Sequence, residues 1–212
     1  MIPQQHAGRT VLAFFWADNS LNSNLRNNIR TMMQGLQAMK DSAALLVYWD
    51  GEASDISWPE PCIVEYVTNG QGGINSMSKE AVNAMIADQD MSVHDLISIG
   101  NIRKKYPPQT STEKTVMQTV IGDMMSVYPS ESYGIIFGSH GSGWLPTITG
   151  TRSIGQDGGR YSSDTALIPE LAEVLRTVNP QKFDFVLFDG AAQLLGVSQA
   201  PARKRRGLFG RG

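Results

Sequence analysis

The stretch "TVLAFFWAD" (residues 10–18) is an apolar run of strand length that ends in an acid. In residues 25–39, which follow, apolar side chains recur at steps of three and four, and this spacing indicates an amphipathic helix. A second apolar run, "ALLVYWDG" (44–51), comes next. Strand, helix and strand in this order are typical of a crossover unit in a parallel sheet that is covered on both faces. The segment therefore predicts an α/β fold.

Three further runs predict strands: "CIVEYVT" (62–68), "YGIIFGSHG" (133–141) and "FDFVLFDG" (183–190). A helical pattern precedes the last of them, so the strand and helix order of a crossover unit occurs again. We therefore predict one open, mostly parallel sheet with helices on both faces.

Two more segments have helical periodicity, residues 110–129 and 163–178. At the start of the first, Thr110 and Glu113 have the spacing of a capping box. At the start of the second, Asp164 is a suitable N-cap residue. The methionines along these stripes are expected to be core residues.

The composition indicates one soluble domain. The chain has 212 residues, of which 41% are hydrophobic, enough for a single core. No run reaches the ~18 apolar residues of a membrane span. The first ten residues lack the basic flank and apolar stretch of a secretory signal, so we expect that an export signal was removed or never existed.

The charge is unevenly distributed along the chain. The net charge is −2, but the last ten residues contain five basic side chains and no acid. Residues 1–202 retain 13 basic and 20 acidic side chains, so the body of the protein is acidic. An acidic body is a poor partner for phosphate backbones, and we predict no nucleic-acid binding. The basic tail has two interpretations, a solvated disordered extension or a protease processing site.

Cys62 is the only cysteine, which excludes an intrachain disulfide and a cysteine metal site. It begins an apolar run, where a small buried hydrophobic residue is expected. The alternative, a reactive thiol, lacks a nearby basic residue in the local sequence that would lower its pKa.

Reactive groups of open α/β sheets collect at the carboxyl ends of the strands. His140 follows one strand among Gly138, Gly141 and Gly143, which would leave room for a substrate backbone. It is either a general base or a hydrogen-bonded turn residue. Ser139 should face the opposite side of the strand. His6 and His94 have no such setting and are expected at the surface.

Asp189 follows another strand and is either a turn residue or a ligand for a cationic substrate group. Gly190 and Ala191 come next, and neither side chain can do chemistry. A nucleophile for His140 would be expected at this strand end. A nucleotide-binding alternative is weak, since "GSHGSGW" has no Lys or Ser/Thr at phosphate-loop spacing.

Five segments together resemble the clostripain family of cysteine peptidases, relatives of the caspases and gingipains. They are "RTVLAFFWADNSLNS", "VYPSESYGIIFGSHGSGWLP", "RSIGQDGG", "ELAEVL" and "KFDFVLFDG", spread over about residues 9–190. The resemblance implies a caspase-like fold. It also implies that His140 is the catalytic histidine and that Gly141 donates its backbone N–H to the oxyanion. In the family, the strand that corresponds to "KFDFVLFDG" ends in Asp-Ala-Cys. Ala191 therefore stands where the nucleophilic cysteine is expected.

The family's preference for Arg or Lys implies that Asp189 lines the specificity pocket. Asp18, Asn19 and Trp144 are expected to shape the same crevice. Members are often matured by cleavage after a basic residue between the His and Cys strands, which makes Arg152 and Arg160 candidate processing sites.

The resemblance thus predicts a peptidase that is inactive in this chain, or a noncatalytic module that holds basic peptides in the same crevice. We expect residues 1–9 to be an extension, 10–192 the peptidase domain, incomplete at its C-terminal end, and 193–212 a disordered basic tail. The family implies a bacterial secreted or envelope-attached protein that binds peptides. We expect a monomer without a cofactor, and no sequence feature supports calcium binding.

Overall fold

The computed structural model describes residues 7–39, 43–51, 60–141, 153–157, 164–179 and 183–192. In chain order the elements are β1 (Ala7–Ala17), α1 (Asn22–Ala38), β2 (Ala43–Gly51), β3 (Cys62–Val67), α2 (Lys79–Ile86), α3 (Val93–Ile99), β4 (Asn101–Lys105), α4 (Lys114–Val127), β5 (Ser130–Gly141), β6 (Ser153–Asp157), β7 (Asp164–Leu167), α5 (Ile168–Val178) and β8 (Phe185–Ala192).

The strands form one sheet in the order β4-β3-β2-β1-β5-β6-β7, and β8 also pairs with β5. The long central pairs, β1 with β2, β1 with β5 and β5 with β8, are parallel. Antiparallel strands extend both sides, β3 and β4 beyond β2, and β6 and β7 beyond β5. The parallel core brings the carboxyl ends of β1, β5 and β8 to the same edge of the sheet.

Strand β1 occupies the centre because its residues are apolar on both faces. Every residue from Leu12 to Ala17 is fully buried. Helix α1 connects β1 to the parallel strand β2, as the spacing of apolar residues predicted. A strand buried on both faces is typical of a parallel sheet covered by two layers of helices.

Two hydrophobic cores lie on opposite faces of this sheet. The first packs α1, α2 and α3 on the sheet through residues such as Leu25, Met33 and Val82. The second packs α4 and α5 on the other face through Met117, Met124 and similar residues. The predicted arrangement of helices on both faces is confirmed, and Met33, Met117 and Met124 are core residues. The prediction is wrong for Met39, which follows the last residue of α1 and is 43% exposed.

Two predicted helix starts are wrong. Helix α4 begins at Lys114, and its N-cap residue Glu113 makes no side-chain capping hydrogen bond. The capping box of Thr110 and Glu113 is therefore absent, because both residues precede the helix. Asp164 is no N-cap either, since Asp164–Leu167 forms β7 and pairs with β6 before α5 begins at Ile168.

Cys62 is buried on β3, which confirms the expectation of a small core residue there. Tyr66, four residues further along this strand, is also buried and donates its hydroxyl to the Leu96 carbonyl at 3.0 Å. Burial raises the pKa of Tyr66 far above the ordinary tyrosine value, so the hydroxyl stays a neutral donor. His94 is exposed on α3, as expected.

No helix among the described residues is long and apolar enough to cross a membrane. The same part of the chain contains no group of three or more His, Cys, Asp or Glu side chains arranged to hold a metal ion.

Candidate active site

His140 lies near the carboxyl end of the central strand β5, where it is 9% exposed. Its ring nitrogen Nε2 is 2.9 Å from the hydroxyl oxygen of Ser20. The other ring nitrogen, Nδ1, is buried and has no hydrogen-bond partner among the described residues. One side of the imidazole is therefore held by the protein, and the other retains its hydrogen-bonding capacity.

The turn that carries Ser20 connects β1 to α1, and it is fixed by the buried side chain of Asn19. The amide nitrogen of Asn19 donates to the Trp16 carbonyl at 2.6 Å and to the Ser139 hydroxyl at 3.2 Å. Its side-chain oxygen accepts from the Leu21 backbone N–H at 2.9 Å. Asn19 thus joins the end of β1 to the end of β5, beside His140.

Asp18, predicted to shape the crevice, directly follows β1 and is half-buried in the same turn. Ser139 is fully buried and hydrogen-bonded by Asn19, so it is not an exposed nucleophile.

Strand β8 brings the second predicted strand end alongside the first. The register of its parallel pairing with β5 places Asp189 opposite Gly138, Gly190 opposite Ser139, and Ala191 opposite His140. Directly paired residues of neighbouring strands are about 5 Å apart. The two positions that the resemblance to peptidases assigns to the base and the nucleophile are therefore immediate neighbours in the sheet.

Asp189 is exposed at this edge, and one of its carboxylate oxygens accepts a hydrogen bond from the side-chain amide of Asn28 on α1. The carboxylate is thereby oriented by the helix that covers this face of the sheet, while its exposure leaves it accessible to a cationic group. Sequence patterning did not identify Asn28, because the contact joins residues 161 positions apart.

Gly141 pairs with Ala192 of β8 and with Ile154 of β6, so its backbone lies where three strands meet. Gly138, by contrast, leaves no space for a substrate. A Cβ atom at this position would lie 2.6 Å from the Phe15 ring and 2.7 Å from the Leu25 side chain. The space beside this glycine is filled by the hydrophobic core. Trp144, Gly143, His6, Arg152 and Arg160 lie outside the described residues.

Comparison with known proteins identifies the peptidase family that the sequence resembles. The model of the clostripain family, peptidase family C11, matches residues 13–196. A solved structure of a secreted C11 cysteine protease from Bacteroides thetaiotaomicron, in complex with an irreversible peptide inhibitor, is 27% identical, with a TM-score of 0.58. An inactive zymogen C11 protease from Parabacteroides distasonis is 25% identical, also with a TM-score of 0.58.

These similarities cover 87% and 90% of this chain but only 42% and 44% of the two solved chains. The chain thus spans less than half the length of these relatives. No curated protein matches. The fold, the arrangement of the strand ends and the extent of the family match all agree with the predicted caspase-like architecture, and the chain belongs to the clostripain family of cysteine peptidases.

Proposed function

We propose that this chain carries the catalytic-histidine part of an endopeptidase that cleaves after Arg or Lys, and that it is inactive because Ala191 replaces the nucleophilic cysteine. The observation that carries this proposal is the register of β5 and β8, in which His140 is the direct partner of Ala191. Partners in a parallel pair share a face of the sheet. A thiol at position 191 would therefore be on the same face as the imidazole.

The chemistry requires both groups. In an active cysteine peptidase the imidazole takes the thiol proton, and the thiolate attacks the scissile carbonyl carbon. The imidazolium then donates its proton to the leaving amine, and water hydrolyses the acyl-enzyme. The Nδ1 atom of His140 has no partner among the described residues, and in the tautomer with its proton on Nε2 it offers the lone pair for the first step. The methyl group of Ala191 has neither a proton to give nor an electron pair to attack with.

Substrate preference is assigned to Asp189. An exposed carboxylate beside the reacting positions can pair with a guanidinium or an ammonium group. It is exposed and held by Asn28, so it presents a fixed charge at the edge that also carries His140. Gly141 is assigned as the backbone donor to the oxyanion. Arg152 and Arg160 remain candidate maturation sites in an active homologue.

The alternative function is binding without hydrolysis. The absence of a nucleophile at position 191, together with the exposed carboxylate of Asp189, favours a module that holds basic peptides in the same crevice. This alternative predicts saturable binding of Arg- and Lys-terminated peptides by the chain as it stands, measurable by calorimetry. It also predicts that Asp189→Asn weakens that binding.

Hydrolysis of fluorogenic peptides ending in Arg, Lys or Leu separates the two functions. The peptidase proposal expects no turnover by the native chain and turnover of the Arg and Lys peptides by Ala191→Cys. Ala192→Cys is the matched control, because it places the same thiol one residue away, opposite Gly141. His140→Ala should abolish the activity of Ala191→Cys. Turnover by the native chain, or none by a folded Ala191→Cys protein, would contradict the proposal, with folding checked by circular dichroism.

A further inference from the structure

We propose that Ser20 is the positioning residue of the catalytic histidine, holding the His140 ring at Nε2 so that Nδ1 is the basic nitrogen. This inference rests on the proposed function, which makes His140 the general base. Its starting point is the 2.9 Å contact between the Ser20 hydroxyl and Nε2. Serine is unremarkable at the start of a helix, so the sequence itself does not distinguish this residue.

Ser20 is held in register with β5 by its neighbour. Asn19 forms a hydrogen bond with Ser139, and Ser20 forms one with His140. Two consecutive residues of the turn thus contact two consecutive residues of the strand. Asn19 is itself buried and anchored to the Trp16 carbonyl. The hydroxyl of Ser20 is therefore placed by hydrogen bonds that do not depend on the conformation of the histidine ring.

The hydrogen-bonding capacity of imidazole decides which nitrogen is basic. A neutral ring has one N–H and one lone pair. A proton on Nδ1 would be buried without an acceptor among the described residues, whereas a proton on Nε2 donates to the Ser20 oxygen. The second tautomer leaves the lone pair on Nδ1. The burial of Nδ1 thus selects this tautomer, whereas Ser20 accepts the Nε2 proton, fixes the ring orientation, as second partners of functional histidines do, and adds no charge to the site.

Ring-nitrogen NMR tests the contact without any activity, in the chain as it exists. With ¹⁵N-labelled histidine, and the His140 signals assigned by their loss in His140→Ala, we expect a protonated Nε2 and an unprotonated Nδ1. Ser20→Ala should leave the proton on Nε2 but shift its resonance and speed its exchange with water, and Ser20→Thr should restore the original signals. Ser23→Ala, an exposed serine three residues on, is the matched control. An Nε2 proton with the same resonance and exchange rate in Ser20→Ala as in the native chain, or a proton on Nδ1 in the native chain, would overturn the inference.

Kinetics in the Ala191→Cys background tests the consequence. Misplacing a catalytic group by about 1 Å costs about 100-fold in rate, so Ser20→Ala should lower kcat by about 10–100-fold with KM unchanged, and Ser20→Thr should recover it. An active Ala191→Cys protein that keeps its kcat after Ser20→Ala refutes the role of Ser20 and leaves the proposed function intact. A folded but inactive Ala191→Cys protein refutes the proposed function instead, and the NMR result then decides the role of Ser20.

Discussion

Replacing Gly138 with alanine should destabilise the domain, whereas replacing Gly122 with alanine should stabilise it. Gly138 lies on β5 opposite Asp189. Two core side chains occupy the space that a side chain at position 138 would need. A Cβ atom there would approach Phe15 to 2.6 Å and Leu25 to 2.7 Å. The end of the Leu25 side chain can move aside, but the Phe15 ring is rigid and fully buried.

The expected magnitude follows from two opposing effects. Overpacking a core costs about 1–3 kcal/mol. Alanine also restricts the unfolded chain, which returns about 0.4–1 kcal/mol. We expect a net loss of about 1–2 kcal/mol in the free energy of unfolding. The matched control is Gly122→Ala on α4, where nothing lies within 4 Å of the new Cβ and where alanine should gain about 0.5–1 kcal/mol.

The assay is urea unfolding followed by tryptophan fluorescence, since Trp16 and Trp49 are both buried. The two variants should shift the unfolding midpoint in opposite directions without a change in the denaturant slope. If Gly138→Ala were as stable as the native chain, the close approach of Phe15 and the packing inferred from it would be wrong.

Two further predictions concern polar groups. Asn19→Ala removes hydrogen bonds to Trp16, Ser139 and Leu21 and should lower the free energy of unfolding by about 2–3 kcal/mol in the same assay; no loss would mean that the turn is held by other contacts. On α3, hydrogen bonds from the hydroxyl and then the backbone N–H of Ser92 lower the pKa of Asp95 below its usual 3.8. The stabilisation by this carboxylate is complete above its usual pKa of 3.8 and is lost as the pH falls through the lowered pKa. Asp95→Asn should therefore weaken the loss of unfolding free energy at acid pH. An unchanged pH dependence in that variant would contradict this assignment.

Local patterns predicted the elements that form the centre of the sheet. Strands β1, β2, β5 and β8 are apolar and long, and helices α1 and α4 have clear apolar stripes, so periodicity alone located them. The position of His140 at a strand end followed from the same pattern. These features depend on residues close in sequence, which is why they could be predicted.

The elements that the sequence did not predict have weak local signals. Strand β4 is "NIRKK", exposed at every residue and mostly charged, and it is held at the sheet edge by pairing with β3. Strands β6 and β7 have five and four residues, and helices α2 and α3 have eight and seven. Such short segments span only about two hydrophobic periods, which is too few for the pattern to be distinguished from its surroundings.

The supporting residues of the site were missed for a different reason. Ser20 and Asn28 are ordinary polar residues near the start of α1, where they are common. Their contacts span 120 and 161 residues and exist only because β1, β5 and β8 have a particular register. Long-range register of this kind has no signature within a single segment.

The pairing of β8 has a consequence for local opening. Among the described strands, β8 is hydrogen-bonded only to β5, whereas β5 is also paired with the buried strand β1. Residues Phe185–Phe188 of β8 are between 39% and 52% exposed. Amides of β8 should therefore exchange with solvent in a smaller opening than those of β5. An opening of β8 alone would separate position 191 from His140 while the rest of the sheet stays folded, so on heating the Ala191→Cys protein should lose activity before the domain melts.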